Sequence, residues 1–264
     1  MTHGGAFQAL GLRADAATLD PYLMVDHFHM KEPTFGPHPH AGFSAITYVF
    51  DDSETGVQNR DSAGDRAVIR PGDLHWTLAG AGIVHEEVPF EVGRTVHGLQ
   101  IFLNLAGKDK FMPAAAIHID GERMPRIAQA QGAAVKVVFG AYADREQQLA
   151  PIVNLPTEAT LLDIRLGSGA AFDYPVAPDT TAFLHVVHGS VFSGGQVWNA
   201  GDAMAFARTG GELTVLAQSD AQVALFLGRP LREQVVQHGP FVMNNAADLE
   251  RVVSAYRAGQ MGRL

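Results

Sequence analysis

Short runs rich in β-branched and aromatic residues, each closed by glycine or proline, recur along the whole chain. They fall at 45–50, 96–103, 135–139, 160–166, 182–187, 212–216 and 222–227, and the 28 glycines and 14 prolines between them are scattered rather than gathered into one linker. Strand-length apolar runs between turn signals predict an all-β protein built as sandwiches or barrels. One segment follows a different period. Leu249, Val252, Val253 and Tyr256 are spaced i, i+3, i+4, i+7, which predicts a short C-terminal helix with Asn245 as its N-cap and Gly259 as its stop. Its apolar stripe is expected to pack on the body of the protein.

A faint internal echo divides the chain. Arg70-Pro71-Gly72-Asp73 precedes a short apolar-aromatic run and Gly80-Ala81-Gly82; Asn199-Ala200-Gly201-Asp202 precedes a similar run and Gly210-Gly211. The echo predicts two β-barrel domains, one at 1–135 and one at 136–264, the second carrying the helical tail. Aligned on the echo, Thr214, Leu216, Pro175 and Ala177 stand where the first half has His85, Glu87, His38 and His40, and none of the four is a good metal ligand. A single metal would therefore belong to the first half.

Composition narrows the function. An apolar share of 47% and a charged share of 18% describe a globular protein. With no cysteine, disulfides, thiolate metal sites and cysteine nucleophiles are excluded. A net charge of −9 argues against direct nucleic-acid binding. The start, Met1-Thr2-His3-Gly4-Gly5, lacks the pattern of a signal peptide, and no apolar run approaches a membrane span, so the cytoplasm is the expected location. Phosphate loops, dinucleotide-binding glycine motifs and a G-x-S-x-G nucleophile elbow are absent.

The chemistry concentrates in two pairs, His38/His40 and His85/Glu87. Side chains at i and i+2 of a strand share a face, so two such pairs can aim three imidazoles and a carboxylate into one pocket. That donor set suits iron, manganese, nickel, cobalt, copper or zinc. His27-Phe28-His29 repeats the spacing and His118-Ile119-Asp120 resembles it; both are read as surface or core histidines outside the metal site. His75 is read as a buried histidine beside Trp76, His185 and His188 as structural, and Glu86 as pointing away from Glu87.

Together these residues resemble the pirin family of the cupin superfamily. The resemblance rests on 19–28, Pro37-His38-Pro39-His40-Ala41-Gly42-Phe43, Asp61-Ser62-Ala63-Gly64, the stretch from Pro71 to Glu87, His97-Gly98-Leu99-Gln100 and the tail Gly239-Pro240-Phe241-Val242-Met243-Asn244. It implies two stacked cupin (jelly-roll-like) barrels, metal in the N-terminal barrel only, and His38, His40, His85 and Glu87 as ligands, usually of Fe(2+). The chain departs from the family's common residues at Ala41 (arginine), Ser44 (glutamate), Glu86 (serine) and Asn59 (histidine).

The activity implied by the resemblance is a quercetin (flavonol) 2,3-dioxygenase, with Glu87 as general base as well as ligand, and a flavonol and O2 as reactants in a monomeric protein. The alternative is a regulatory protein whose metal redox state alters a surface that docks on a transcription factor or a metabolic enzyme; the acidic charge would favour a basic patch on that partner. A phosphosugar isomerase would need basic residues near the site, and 36–48 contains no Lys or Arg.

Overall fold

The computed structural model describes residues 2–3, 5–144, 147–149 and 155–264. Among the described residues the chain is all-β apart from a one-turn helix at Ala16–Leu19, brief 3-10 turns and the C-terminal helix Ala246–Arg257. Among the described residues every pairing between strands is antiparallel, and two isolated bridges, Ala41 to Phe241 and Gly132 to Ala171, are parallel; antiparallel pairs are what runs joined by tight glycine turns favour. The one-turn helix is too short to leave a periodic signal; Asp15 caps it through the Thr18 N–H at 2.9 Å. Among the described residues no helix is long and apolar enough to cross a membrane.

Two compact units form. The first gathers Met1–Arg13, Tyr22–Glu122 and Leu231–Leu264; the second gathers Ala14–Pro21 and Arg123–Pro230. This differs from a division at 135 with the tail on the second half. The tail returns to the first unit because its own residues pair there: Ala41 bridges Phe241, and the Val242 N–H donates to the Ala41 carbonyl at 3.0 Å. Behind that bridge, Ala41, Val84, Phe241, Met243, Val252 and Met261 form one apolar cluster. The helix stripe read from the sequence thus packs on the outside of the strands that carry the histidine pairs. Its cap is as expected: the Asn245 side chain accepts from the Asp248 N–H at 2.8 Å, and Gly259 takes a positive φ of 74° just past the end.

In the first unit a seven-stranded sheet runs Thr2–His3, Phe7–Leu12, Tyr22–Met30, Val96–Asn104, Phe43–Val49, Leu74–Leu78, Ala115–Ile119. A four-stranded sheet runs His38–His40, Ile83–Pro89, Val57–Asp61, Val68–Ile69. One part of the interior is apolar, filled by Phe7, Phe28, Met30, Val49, Val57, Ile69 and Val96. The second unit repeats the plan with six- and four-stranded sheets. Its core is an apolar cluster in which Val135, Val137, Leu162, Ile164, Phe172, Leu184, Val186, Leu213, Val215, Val223 and Leu225 pack together. Strand parity refines the echo here. Leu213 and Val215 face that core, whereas Thr214 and Leu216, the residues aligned on His85 and Glu87, belong to the opposite face.

Candidate metal centre

The His38–His40 strand pairs with Ile83–Pro89 so that His38 lies directly opposite His85. Alternation then sorts both strands. Ala41 and Val84 turn outward to the tail cluster, while His38, His40 and His85 turn inward, where the His40 ring meets Phe43 and Phe102 at 5.1 and 5.2 Å. Gly42 makes the turn after His40 possible. It sits at φ +83°, and a Cβ there would lie 1.8 Å from the Val242 carbonyl oxygen.

The three imidazoles converge, with one ring nitrogen from each within 4.8 Å of the others. Ring centroids are 4.7–4.8 Å apart and the planes are tilted by 66°, 70° and 88° to one another. An ion bound by an imidazole lies near the ring plane, so three steeply tilted planes can meet at one point. His38 Nε2 and His85 Nε2 are 3.2 Å apart. Two nitrogens each about 2.1 Å from a shared ion, at an angle of about 100°, have about that separation. The Nδ1–H of His38 donates to the Gly36 carbonyl at 2.9 Å, which leaves its Nε2 lone pair for the cluster. Burial, and then the charges of its two neighbours, hold His40 well below the usual imidazole range; burial and then His38 lower His85 to about 3. Neutral rings with lone pairs are what a divalent cation requires, so the donor set fits a metal.

Glu87 lies on the inward parity of the same strand but outside that three-ring group. It meets Thr47 from the opposite sheet, whose Oγ1 stands 2.9 and 2.7 Å from the two carboxylate oxygens and 3.2 Å from Gln100 Oε1. Gln100 is oriented by its Nε2–H bond to the Ile46 carbonyl at 3.1 Å. A hydroxyl carries one hydrogen, so Thr47 cannot donate to three acceptors. A protonated Glu87 resolves the conflict by donating to Thr47, which then donates to Gln100. Burial pushes Glu87 up to about 7, against the lowering effect of the Thr47 bond. Glu87 therefore holds or releases a proton near neutrality.

Further polar groups line this interior. His75 is fully buried with neither ring nitrogen bonded, Asp65 Oδ1 lies 3.9 Å away, and burial lowers it to about 4. Asn59 donates to Asp65 at 2.8 Å, and one Asp61 carboxylate oxygen is unpaired. Thr47 and Asp65, and Gln100 as a partner of Thr47, escaped the sequence reading because no short motif marks those roles; polar residues recurring at the inward parity of their strands were the available signal. Glu86 points away from Glu87 as expected and pairs with Arg60 at 2.7 Å. Ala41 is small where the tail strand crosses it. His118 stands 3.5 Å from Asp73 and 3.7 Å from Asp120. His185, in the second unit, is buried, with its Nδ1 3.0 Å from the Asp202 carbonyl.

Residues 6–103 match the pirin domain and residues 161–262 match the pirin C-terminal cupin domain. The chain belongs to the pirin family. A Pseudomonas aeruginosa protein provisionally named a quercetin 2,3-dioxygenase is 34% identical over 91% of this chain and 86% of its own. The crystal structure of a quercetin 2,3-dioxygenase from Acinetobacter baumannii superposes with a TM-score of 0.88 at 27% identity, covering 99% of this chain and 94% of that one. A bacterial pirin of Escherichia coli, solved in complex with nickel(II), shares the fold at a TM-score of 0.67 and 18% identity, covering 87% and 94%. The bicupin architecture follows from the family and these likenesses together with the two-unit fold. A cleft of about 940 Å³ in the second unit is bordered by Thr160, Tyr174, Asp179 and Arg229, with no histidine among its described lining residues.

Proposed function

We propose that this pirin is a metal-dependent flavonol 2,3-dioxygenase of the quercetinase type, with His38, His40, His85 and Glu87 as ligands and iron(II) as the first metal to test. The observation that carries the reading is the inward trio of imidazoles, steeply tilted and 3.2 Å apart at their closest nitrogens. Likeness to a quercetin 2,3-dioxygenase structure over nearly the whole chain supports the substrate class.

A divalent ion held by His38, His40, His85 and Glu87 would supply Lewis acidity toward the flavonol enol oxygen. The chain's own residues do the rest. Glu87, poised near pH 7, takes the proton of the flavonol hydroxyl, and Thr47, whose single hydrogen serves the ionised carboxylate, turns it to Gln100 as that proton arrives. Half-buried Phe102 and Leu23, packed on Phe43, offer an aromatic ring an apolar wall beside His40. His38 is only half-buried and marks the side open to solvent.

The test is anaerobic loading with Fe(2+), addition of quercetin and O2, and measurement of flavonol absorbance loss with carbon monoxide release. Wild-type protein is expected to turn over, while His40→Ala and His85→Ala lose turnover and bound metal together by roughly 100-fold or more, with folding retained. Absence of turnover with iron, manganese, nickel, cobalt and copper alike would reject the activity.

A further inference from the structure

The His27-Phe28-His29 pair finds a third histidine in the fold. His29 lies directly opposite His97 on the neighbouring Val96–Asn104 strand, and His27 lies diagonally across from it. Phe28 and Met30 turn into the apolar core, so the three rings share the opposite face of the seven-stranded sheet. One ring nitrogen from each lies within 4.8 Å of the others. His27 Nε2 and His97 Nε2 are 2.7 Å apart, and His97 Nδ1 is 2.8 Å from Asp52 Oδ1. His29 stacks on His97 at 4.5 Å and is exposed.

We infer that His27, His29 and His97, with Asp52 behind His97, form a second metal site, open to solvent and suited to a late first-row divalent ion such as Zn(2+), Ni(2+) or Cu(2+). The Asp52 carboxylate takes the Nδ1–H of His97 and so fixes the tautomer that leaves Nε2 as a donor, the carboxylate–histidine arrangement that orients metal ligands. With Nε2 of His97 accepting, the 2.7 Å contact is a hydrogen bond from His27. A cation takes the place of that hydrogen, opening the gap to about 3.3 Å for a tetrahedral ion. His29 completes the set by turning out of its stack, a movement that its exposure permits. The backbone is already anchored: the His97 N–H donates to Ser53 Oγ at 2.9 Å, and its carbonyl accepts from the Phe50 N–H at 3.0 Å. Three nitrogens without a thiolate select zinc, nickel or copper over magnesium or calcium.

This site is independent of the flavonol reading and is tested on the full chain by equilibrium dialysis against Zn(2+) with elemental analysis. Wild-type protein is expected to bind two equivalents. His29→Ala and His97→Ala should each retain one, and Asp52→Asn should weaken the second equivalent by roughly 10–100-fold. His40→Ala should lose the other equivalent and keep this one. His29 and Asp52 are exposed, so their variants report on binding without unfolding the strand. Cu(2+) bound to His40→Ala should show nitrogen coupling by electron paramagnetic resonance. A stoichiometry unchanged between wild type and the His29→Ala/His97→Ala double variant would overturn the inference. So would an equivalent lost in His118→Ala instead.

Discussion

Glu87 sits between two demands. As a proposed ligand it should be ionised, yet in the metal-free chain its surroundings raise it from 4.5 to about 7. The folded state then holds a proton that the unfolded state gives up between those values. In metal-free protein Glu87 therefore costs stability progressively as pH rises from 4.5 through 7. Glu87→Gln should raise the stability of metal-free protein at pH 8, by on the order of 2 kcal/mol, and change little at pH 4. It should weaken metal binding at the same time. Denaturant midpoints with and without chelator at the two pH values check both effects; equal shifts at pH 4 and pH 8 would place the effect in packing instead. Thr47 and Gln100 sharpen the point. They are ordinary strand residues in the sequence, and only the meeting of two sheets makes them the partners of a carboxylate.

The His38–His40 strand is held by the segment that follows it. Gly42 turns the chain under the Val242 carbonyl, and the buried Lys110 ammonium donates to the Gly42 carbonyl at 2.8 Å, to Asn104 Oδ1 at 2.6 Å and to the Val242 carbonyl at 3.1 Å. A tail element more than two hundred residues further along the sequence is thereby stitched to the strand that carries two histidines. Gly42→Ala forces a Cβ against backbone at a positive φ and should destabilise the protein by about 2–4 kcal/mol, with metal affinity falling as His40 shifts. Thermal unfolding and metal content of the same preparation are the measurement, and a variant as stable as wild type would show that the tail yields without cost. The helix at 246–257 was legible from its period and caps. Its docking on the first unit was not, because an apolar stripe states that a partner exists without naming it.

Buried neutral histidines set the acid limit of the whole chain. His75 and His185 are lowered to about 4, His85 to about 3, and His40 well below its usual value, each chiefly by burial. The unfolded chain takes up protons at these positions from about pH 6.5 downward while the folded chain refuses them until near their lowered values. Stability is therefore lost as pH falls from about 6.5 towards 3, on the order of 1 kcal/mol per pH unit for each group, and Glu87 offsets only one such contribution between 7 and 4.5. Denaturation of chelated protein should show a midpoint that declines steadily below pH 6.5. A midpoint independent of pH between 6.5 and 4 would mean that these rings are hydrated in solution.

The order of residues alone determined the class of fold and the separation into two barrels, since glycine and proline end strands wherever they occur and alternation decides which residues share a face. For the same reason it brought His38, His40 and His85 to one side. Tertiary structure decided what parity cannot: which sheets face each other, and so that Glu87 meets Thr47 beside the three rings, that His97 joins His27 and His29, and that the tail closes over Ala41 and Val84. Those are contacts between segments dozens to hundreds of residues apart. They come from the pairing and packing of whole sheets, which no local spacing encodes.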